Sequence, residues 1–397
     1  MENARLLGRI PLPHSLRANQ YFQQRLETEN EMTYSIHIST AKTWRGGENQ
    51  IWLLARGLQK RGQKVLVVAP RKSPLLERCQ ASGIAIRALG LRGELDPVGA
   101  LRLMRLLRIE KPDVLHLHDG HAILPGQLAA RGAVRGRKLK VVAHRRTVFK
   151  LRGKWKYQGR VDKIIAISQS VKACLLAGGI AAERICVVYS GLEFPEPLDK
   201  GGADARAFHQ THGIPNDALL LAHAAALSVE KRQGDIIHAV SKANSILKEK
   251  VLPDVHLAIA GAGDEEKSLR DCVRDCGMVE RVHFAGFLSD LSPLWAASSM
   301  VIFASEAEGL CTALIEAQGA GLPAVITKAG GMTEVVAHEK TGLCVEIGDV
   351  AGMAEAIVRL CVDENLRQRA GEAAAIGARA RFSADAMVEG ILNVYRE

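Results

Sequence analysis

Glu308 and Glu316 frame the segment best equipped for chemistry, Glu306-Ala307-Glu308-Gly309-Leu310-Cys311-Thr312-Ala313-Leu314-Ile315-Glu316. Glu308 falls in a loop beside a glycine that lets backbone N–H groups face a ligand at a helix start. Glu316 falls in the helix. Its neighbours Ala313, Leu314, Ile315, Ala317 and Ala320 are apolar, so its carboxylate needs a polar partner. Ribose hydroxyls would serve; an exposed Glu is the plainer alternative.

Other segments carry complementary groups. Lys231 and Arg232 follow a strand, where a cation can neutralise a leaving phosphate. Gly46-Gly47-Glu48 stands at a strand-to-helix turn suited to a diphosphate, or to a plain tight turn with Glu48 favouring the helix dipole. His116-Leu117-His118-Asp119-Gly120-His121 puts His118 at a strand end as a hydrogen-bond donor. Three histidines raise the question of a metal, but no carboxylate or thiolate set completes a site. Arg145 and Arg146, followed by Lys150, Arg152, Lys154, Lys156 and Arg160, could grip phosphate or carboxylate, or form a solvated charged face. Gly261-Ala262-Gly263 opens like a dinucleotide fingerprint, but the third glycine is missing. Asp264, Glu265 and Glu266 stand where a pyrophosphate would rest, so dinucleotide binding is disfavoured.

These groups follow strands that must position them. Short apolar runs at 34–39, 64–69, 85–89, 114–118, 140–143, 163–167 and 186–189 alternate with amphipathic helices such as 49–61, 97–108 and 170–177. Segment 193–203 reads as a linker with Pro195 and Pro197. The alternation then restarts, with strands at 219–226, 256–260, 281–285, 300–304, 324–327 and 343–347 and helices such as 233–249, 311–319 and 350–361. Runs apolar on both faces predict parallel sheets covered on both sides. The fold class is α/β: two tandem doubly wound Rossmann-like domains facing a cleft, at 33–192 and 204–381. Residues 1–32 are expected to be an arm, and 382–397 a terminal helix. In such sheets ligands sit at the carboxyl ends of strands.

Composition narrows the partners. The chain has 397 residues and a net charge of +10. Residues 1–200 hold 35 Lys and Arg against 16 Asp and Glu, and residues 201–397 hold 18 against 27. A basic half joined to an acidic half suggests one anionic partner. Aromatics are only 4%, which argues against base stacking and nucleic acid. No apolar run is long enough to span a membrane and no secretory signal is visible, so a cytoplasmic protein with reduced thiols buried in its core is expected. Cys272 and Cys276 are spaced along one helical face, not as a CxxC, and a zinc site is not expected.

The spacing of Glu308 and Glu316 resembles the EX7E motif of retaining GT-B glycosyltransferases, in particular glycosyltransferase family 4. Gly46-Gly47-Glu48 resembles the family's first glycine turn, and 112–118 its HxH strand end. Ala166-Ile167-Ser168, Ser190-Gly191, the strand and Lys at 224–231, Gly330-Gly331-Met332-Thr333-Glu334 and Thr341-Gly342-Leu343 follow in the family's order. One departure stands out: the family's Arg before this Lys falls at Ala226.

The resemblance implies a retaining, metal-independent transfer from a nucleoside-diphosphate sugar, with no other cofactor. The donor would meet Gly46, Gly47, Lys231, Arg232, Glu308, Gly309, Leu310, Cys311, Thr312 and Glu316. Glu308 would hold the sugar and Glu316 the ribose. His118 and Lys231 would act at the reacting centre, and the terminal helix would cross back to the first domain. No Asp-x-Asp occurs in the sequence. Arg145 and Arg146 would meet an anionic glycan or lipid-linked acceptor of the lipopolysaccharide or cell-envelope type. The basic half would also allow a peripheral contact with the inner-membrane surface. The rival readings are a nucleotide-sugar epimerase, a nicotinamide oxidoreductase, which the broken fingerprint disfavours, and a non-enzymatic binder of anionic polymers.

Overall fold

The computed structural model describes residues 32–133, 138–151, 153–194 and 198–397. The arm expected at 1–32, except for its last residue, Arg152 of the basic run, and Pro195 and Pro197 of the linker lie outside them.

The first sheet holds β1 (Tyr34–Ile38), β2 (Lys64–Ala69), β3 (Ala85–Ala88), β4 (Val114–Leu117), β5 (Lys140–Arg145), β6 (Lys163–Ala166) and β7 (Ile185–Val187). The second holds β8 (Leu219–Ala224), β9 (Val255–Ala260), β10 (Val282–Gly286), β11 (Met300–Phe303), β12 (Ala324–Thr327) and β13 (Gly342–Val345). The strand orders are β3-β2-β1-β4-β5-β6-β7 and β10-β9-β8-β11-β12-β13, and neighbouring strands pair in parallel. Both faces of the central strands are buried, as a continuous Val/Ile/Leu run requires. Both orders reverse direction once, between β1 and β4 and between β8 and β11. A crevice opens at such a reversal, outside the strands' carboxyl ends.

Strand β8 ends two residues earlier than its apolar run suggests, at Ala224. Beyond it the chain leaves the ladder to follow the Gly261–Gly263 turn, with Ala225 N–H donating to Ala260 O (3.1 Å) and Leu227 N–H to Ala262 O (3.1 Å). A Cβ on Gly261 would meet the Ala225 carbonyl oxygen at 1.8 Å. These glycines therefore serve strand-end packing rather than a pyrophosphate.

The C-terminal helices are Glu364–Phe382 and Ala384–Arg396. Ser383, extended between them, interrupts the helix, and its hydroxyl caps the second helix by accepting from Ala386 N–H (3.2 Å). At this break Leu192 N–H donates to Phe382 O and Ala384 N–H to Leu192 O, both 2.8 Å. The two passages between domains thus lie side by side. The last helix returns to the first domain. Met387, Val388, Ile391, Leu392 and Tyr395 recur on one face and are buried with Ile51, Leu54 and Leu58 of helix Gly46–Lys60.

Candidate active site

In the second domain, the loops after β8 and β11 meet at the reversal. Glu306 N–H donates to Glu230 O (2.9 Å), holding the loops together. Lys231 forms an ion pair with Glu308, whose carboxylate also accepts from the Ser305 hydroxyl at 3.0 Å. The side chains are only 20% and 12% exposed. Burial alone would lower the Lys231 pKa; the charge and hydrogen bond of Glu308 outweigh it, and the pKa is raised. Arg232, in the left-handed region at φ 50°, turns away to pair with Asp235 at 2.7 Å.

Leu310 and Cys311 are buried, and the helix opens at Thr312. Burial, with the Glu308 charge adding to it, pushes the Cys311 thiol up to about 12. The thiol is therefore protonated at neutral pH.

Glu316 lies in that helix and lines a cavity of about 300 Å³ with Leu288, Asp290, Trp295 and Arg379. Burial raises its pKa, partly opposed by the Trp295 indole. A larger cavity, of about 740 Å³, lies at the opposite strand ends beside Ala218, Ser299 and Pro323; Arg379 lines both cavities, whereas Lys231, Glu308 and Glu316 do not line the larger one.

In the first domain four imidazoles stack on one face of the sheet. Strand register aligns His37 with His116, and β4 with β5 so that His118 and His144 come together. Ser35 Oγ lies 2.9 Å from His37 Nε2, and His37 Nδ1 lies 2.9 Å from His118 Nε2. His116 bonds to the Tyr395 hydroxyl (2.6 Å) and to His144 (3.2 Å). Its ring stacks on His118 at 4.0 Å. Burial pushes His37 down to about 3. Burial also lowers His116, His118 and His144 well below the ordinary range, with the other rings of the cluster and the Arg146 guanidinium further opposing their protonation. The cluster is therefore neutral at physiological pH. His118 Nδ1 is buried without a hydrogen-bond partner among the described residues, a costly state for a polar atom unless something else binds it. Nitrogens of His37, His116 and His118 lie within 4.8 Å of one another. Both ring nitrogens of His37 and of His116 already have partners, so a metal there would displace at least one hydrogen bond of each.

Arg146 joins the two halves. Part of its surface stays open, but protein surrounds most of it, and that burial lowers its pKa to about 10 against the opposing charges of Glu48 and Asp119. A Cβ on Gly47 would meet its Cδ and Nε at 3.9 Å. The Arg146 carbonyl touches the second domain: a Cβ on Gly309 would lie 2.4 Å from that oxygen. Only glycine permits this approach. Gly46, by contrast, has open space around its Cα. Arg145 turns back on its own loop, donating to Thr147 O (3.1 Å) and Phe149 O (2.7 Å).

Glu334 adds a second bridge. Its carboxylate accepts from Gln169 N–H (2.7 Å), Ser170 N–H (2.9 Å) and the Tyr189 hydroxyl (3.1 Å). The first two open helix Gln169–Ala177 of the other domain, where a carboxylate is favoured.

The structure thus brings Lys231 against Glu308, Gly309 against the Arg146 carbonyl, and the Arg146 side chain against Gly47 and near the imidazoles. It sets Arg232 and Arg145 on partners of their own. Residue types alone did not single out His37, His144, Tyr395 or Glu334 as site residues. For His37 and His144 the signal was alignment: each stands on a strand flanking His116 and His118. All eight cysteines are free thiols, but only Cys79 and Cys311 are buried, so most are not the core thiols expected.

Residues 204–376 match the family model described as "Glycosyl transferases group 1", and residues 44–194 match "Glycosyltransferase Family 4"; together they cover most of the chain. A Bacillus anthracis N-acetyl-alpha-D-glucosaminyl L-malate synthase is 29% identical over 192 residues, 48% of this chain and 49% of that protein. A lipopolysaccharide core biosynthesis glycosyltransferase, LpsE of Rhizobium meliloti, is 33% identical over 143 residues, 36% of this chain and 42% of that protein. The chain thus spans about half the length of these curated relatives, or less. Among solved structures, Anabaena HepE in complex with UDP superposes with a TM-score of 0.77 at 20% identity, covering 92% of this chain and 99% of that one. At that identity the likeness concerns the fold.

Proposed function

We propose a reaction for a chain that belongs, by its two matched halves, to the GT-B glycosyltransferases of group 1 and family 4: transfer of a sugar from a nucleoside-diphosphate sugar to a glycan or lipid-linked cell-envelope acceptor, with retention of configuration. The observation that carries it is the pairing of Lys231 with Glu308 at one strand-order reversal, opposite the orphaned His118 Nδ1 at the other. A cation for a leaving diphosphate and polar groups for sugar hydroxyls then flank one crevice.

In this reading the donor's diphosphate takes Lys231 from Glu308, and Glu308 turns to the sugar hydroxyls. Glu316 holds the ribose from its cavity. The bond from the anomeric carbon to the phosphate oxygen breaks, and the diphosphate leaves with the electron pair. The acceptor hydroxyl attacks from the same face and its proton passes to the departing phosphate oxygen. Among the described residues no second carboxylate is placed as an obvious nucleophile, which favours this front-face course over double displacement. Lys231 and backbone amides carry the leaving charge without a metal.

UDP-sugars come first, because a protein of this fold was crystallised with UDP. The lipopolysaccharide relative supports an envelope acceptor. The basic first half suits an anionic one and a peripheral contact with the membrane's cytoplasmic face. No helix among the described residues is long and apolar enough to cross a membrane. A panel of nucleotide sugars is the test, read by melting temperature and nucleotide release. If no nucleotide sugar raises the melting temperature or is turned over, the reading fails.

A further inference from the structure

Away from the crevice, three metal-ligating side chains converge on the outer surface of the second domain. His238 projects from the second turn of helix Gln233–Glu249. Cys272 lies in helix Glu266–Asp275, and Cys276 caps it one turn further on. Their i, i+4 spacing puts both sulfurs on the face that meets His238. Cys272 Sγ lies 3.6 Å from His238 Nε2, and Cys276 Sγ lies 3.3 Å from His238 Nδ1. One atom from each residue lies within 4.8 Å of the other two.

We infer that His238, Cys272 and Cys276 form a binding site for a thiophilic divalent cation, Zn²⁺ in the first instance, that clasps these two helices together. Tetrahedral zinc, with Zn–S about 2.3 Å and Zn–N about 2.0 Å, sets its sulfur and nitrogen ligands about 3.5 Å apart. The contacts between His238 and the cysteines already have that length. The sulfurs face different ring nitrogens, so one N···S contact is given up when a single nitrogen takes the metal. Two thiolates and an imidazole select zinc over calcium or magnesium. His238 is exposed and both cysteines are half-buried, which gives the ion a path from solvent. The fourth position falls to water or to Asp275, which lines the same shallow recess; nearby Asp271 is already paired with Arg274. Burial, with the Cys276 sulfur beside it, pushes the Cys272 thiol up to about 11. Zinc binds the thiolate, so each thiol gives up its proton to solvent as its bond to the metal forms.

The clasp has a structural consequence. Helix Gln233–Glu249 begins directly after Lys231 and Arg232, and helix Glu266–Asp275 follows the turn after β9. A bound ion would tie together two helices whose starts border the crevice, without entering it.

The test uses the full chain, stripped with EDTA under a phosphine reductant, and Zn²⁺ alone as probe. A chromogenic chelator in competition reads stoichiometry and affinity, and Co²⁺ reads the ligands through its thiolate charge-transfer band. One equivalent should bind and raise the melting temperature. Loss of an outer-shell partner alone costs about 10–100-fold in affinity. Cys272→Ser, Cys276→Ser and His238→Ala, each shown to fold by circular dichroism, should lose at least about 100-fold. The charge-transfer band should vanish in the double serine variant. No uptake by the folded wild type overturns the site, and equal uptake by the double variant places the metal elsewhere. A Cys272–Cys276 disulfide that persists in the reductant, with no zinc bound, makes the pair a redox couple instead.

Discussion

Replacing each of the two glutamates separately tests the assignment of donor contacts. Glu308→Gln keeps an amide oxygen for the Ser305 hydroxyl but removes the charge facing Lys231. Stripping one partner from a fully buried pair costs about 3–5 kcal/mol. Here the ammonium is 20% exposed and the amide still accepts a hydrogen bond, so about 1–2 kcal/mol of stability should be lost. The freed Lys231 is then available to a diphosphate, so UDP should bind Glu308→Gln no more weakly than wild type. Turnover should fall by about 1.5–3 kcal/mol, or roughly 10- to 150-fold, as a charged hydrogen bond to the sugar is lost.

Glu316→Gln should behave in the opposite way. UDP should weaken by roughly tenfold or more. Because burial raises the Glu316 pKa, ionising this residue costs the folded state stability above its unfolded pKa. The neutral amide relieves that cost, and the melting temperature at pH 7 should rise. Calorimetric titration of UDP, thermal melts and single-turnover rates on both variants complete the comparison. Equal loss of UDP affinity in the two, or none in Glu316→Gln, would show that the sugar and ribose roles are wrongly assigned.

Further outcomes follow from the same geometry. Turnover should persist in EDTA; loss on chelation that Mg²⁺ or Mn²⁺ restores would refute the metal-free step, and Zn²⁺ rescue confined to stability would not. The imidazoles of His37, His116, His118 and His144 have lowered pKa values in the fold, so the unfolded chain binds more protons. Stability is present above about pH 6.5 and lost as pH falls towards the folded values, by up to about 1.4 kcal/mol per pH unit for each ring. Urea melts from pH 7.5 to 5.0 read this slope, and a flat profile would refute the buried neutral cluster. Glu334→Ala removes the carboxylate that bridges Gln169, Ser170 and Tyr189. It should open the domains, read as a larger radius of gyration by small-angle scattering. Since Arg145 is bonded to its own loop and protein surrounds most of Arg146, the exposed Lys150 and Lys154 are the better test of an anionic surface. Their replacement by Ala should weaken binding to anionic vesicles, as should raised salt; indifference to both would leave the run a solvated face.

Much of the architecture was legible because its signals are local. A strand buried on both faces announces itself as a short Val/Ile/Leu run, and β2, β12 and helix Gln233–Glu249 fall on the residues their patterns predict. Strand ends were harder to read. The apolar run after Ala224 continues into Ala225 and Ala226, and only the close packing of Gly261 shows why the ladder stops. The C-terminal helix was legible in its apolar face, but not in its Tyr395, which meets His116 across 279 positions.

The site divides along the same line. Groups that act within one loop, such as Glu308 beside Gly309 or the Lys231–Arg232 pair, are visible in order along the chain. Their actual partners are not. Arg232 and Lys231 are adjacent and equally cationic, yet a left-handed backbone at Arg232 sends one to Asp235 and leaves the other for Glu308. A two-residue basic motif therefore has one member facing the crevice and one holding the helix start. For Arg232 to stand in for the family's arginine, at Ala226, it would have to give up its ion pair with Asp235, as Lys231 would give up Glu308. Arg146 shows the same divide: its backbone carbonyl meets Gly309 of the second domain, while its side chain packs against Gly47 and feels the charges of Glu48 and Asp119, none of which its place in a basic run announces.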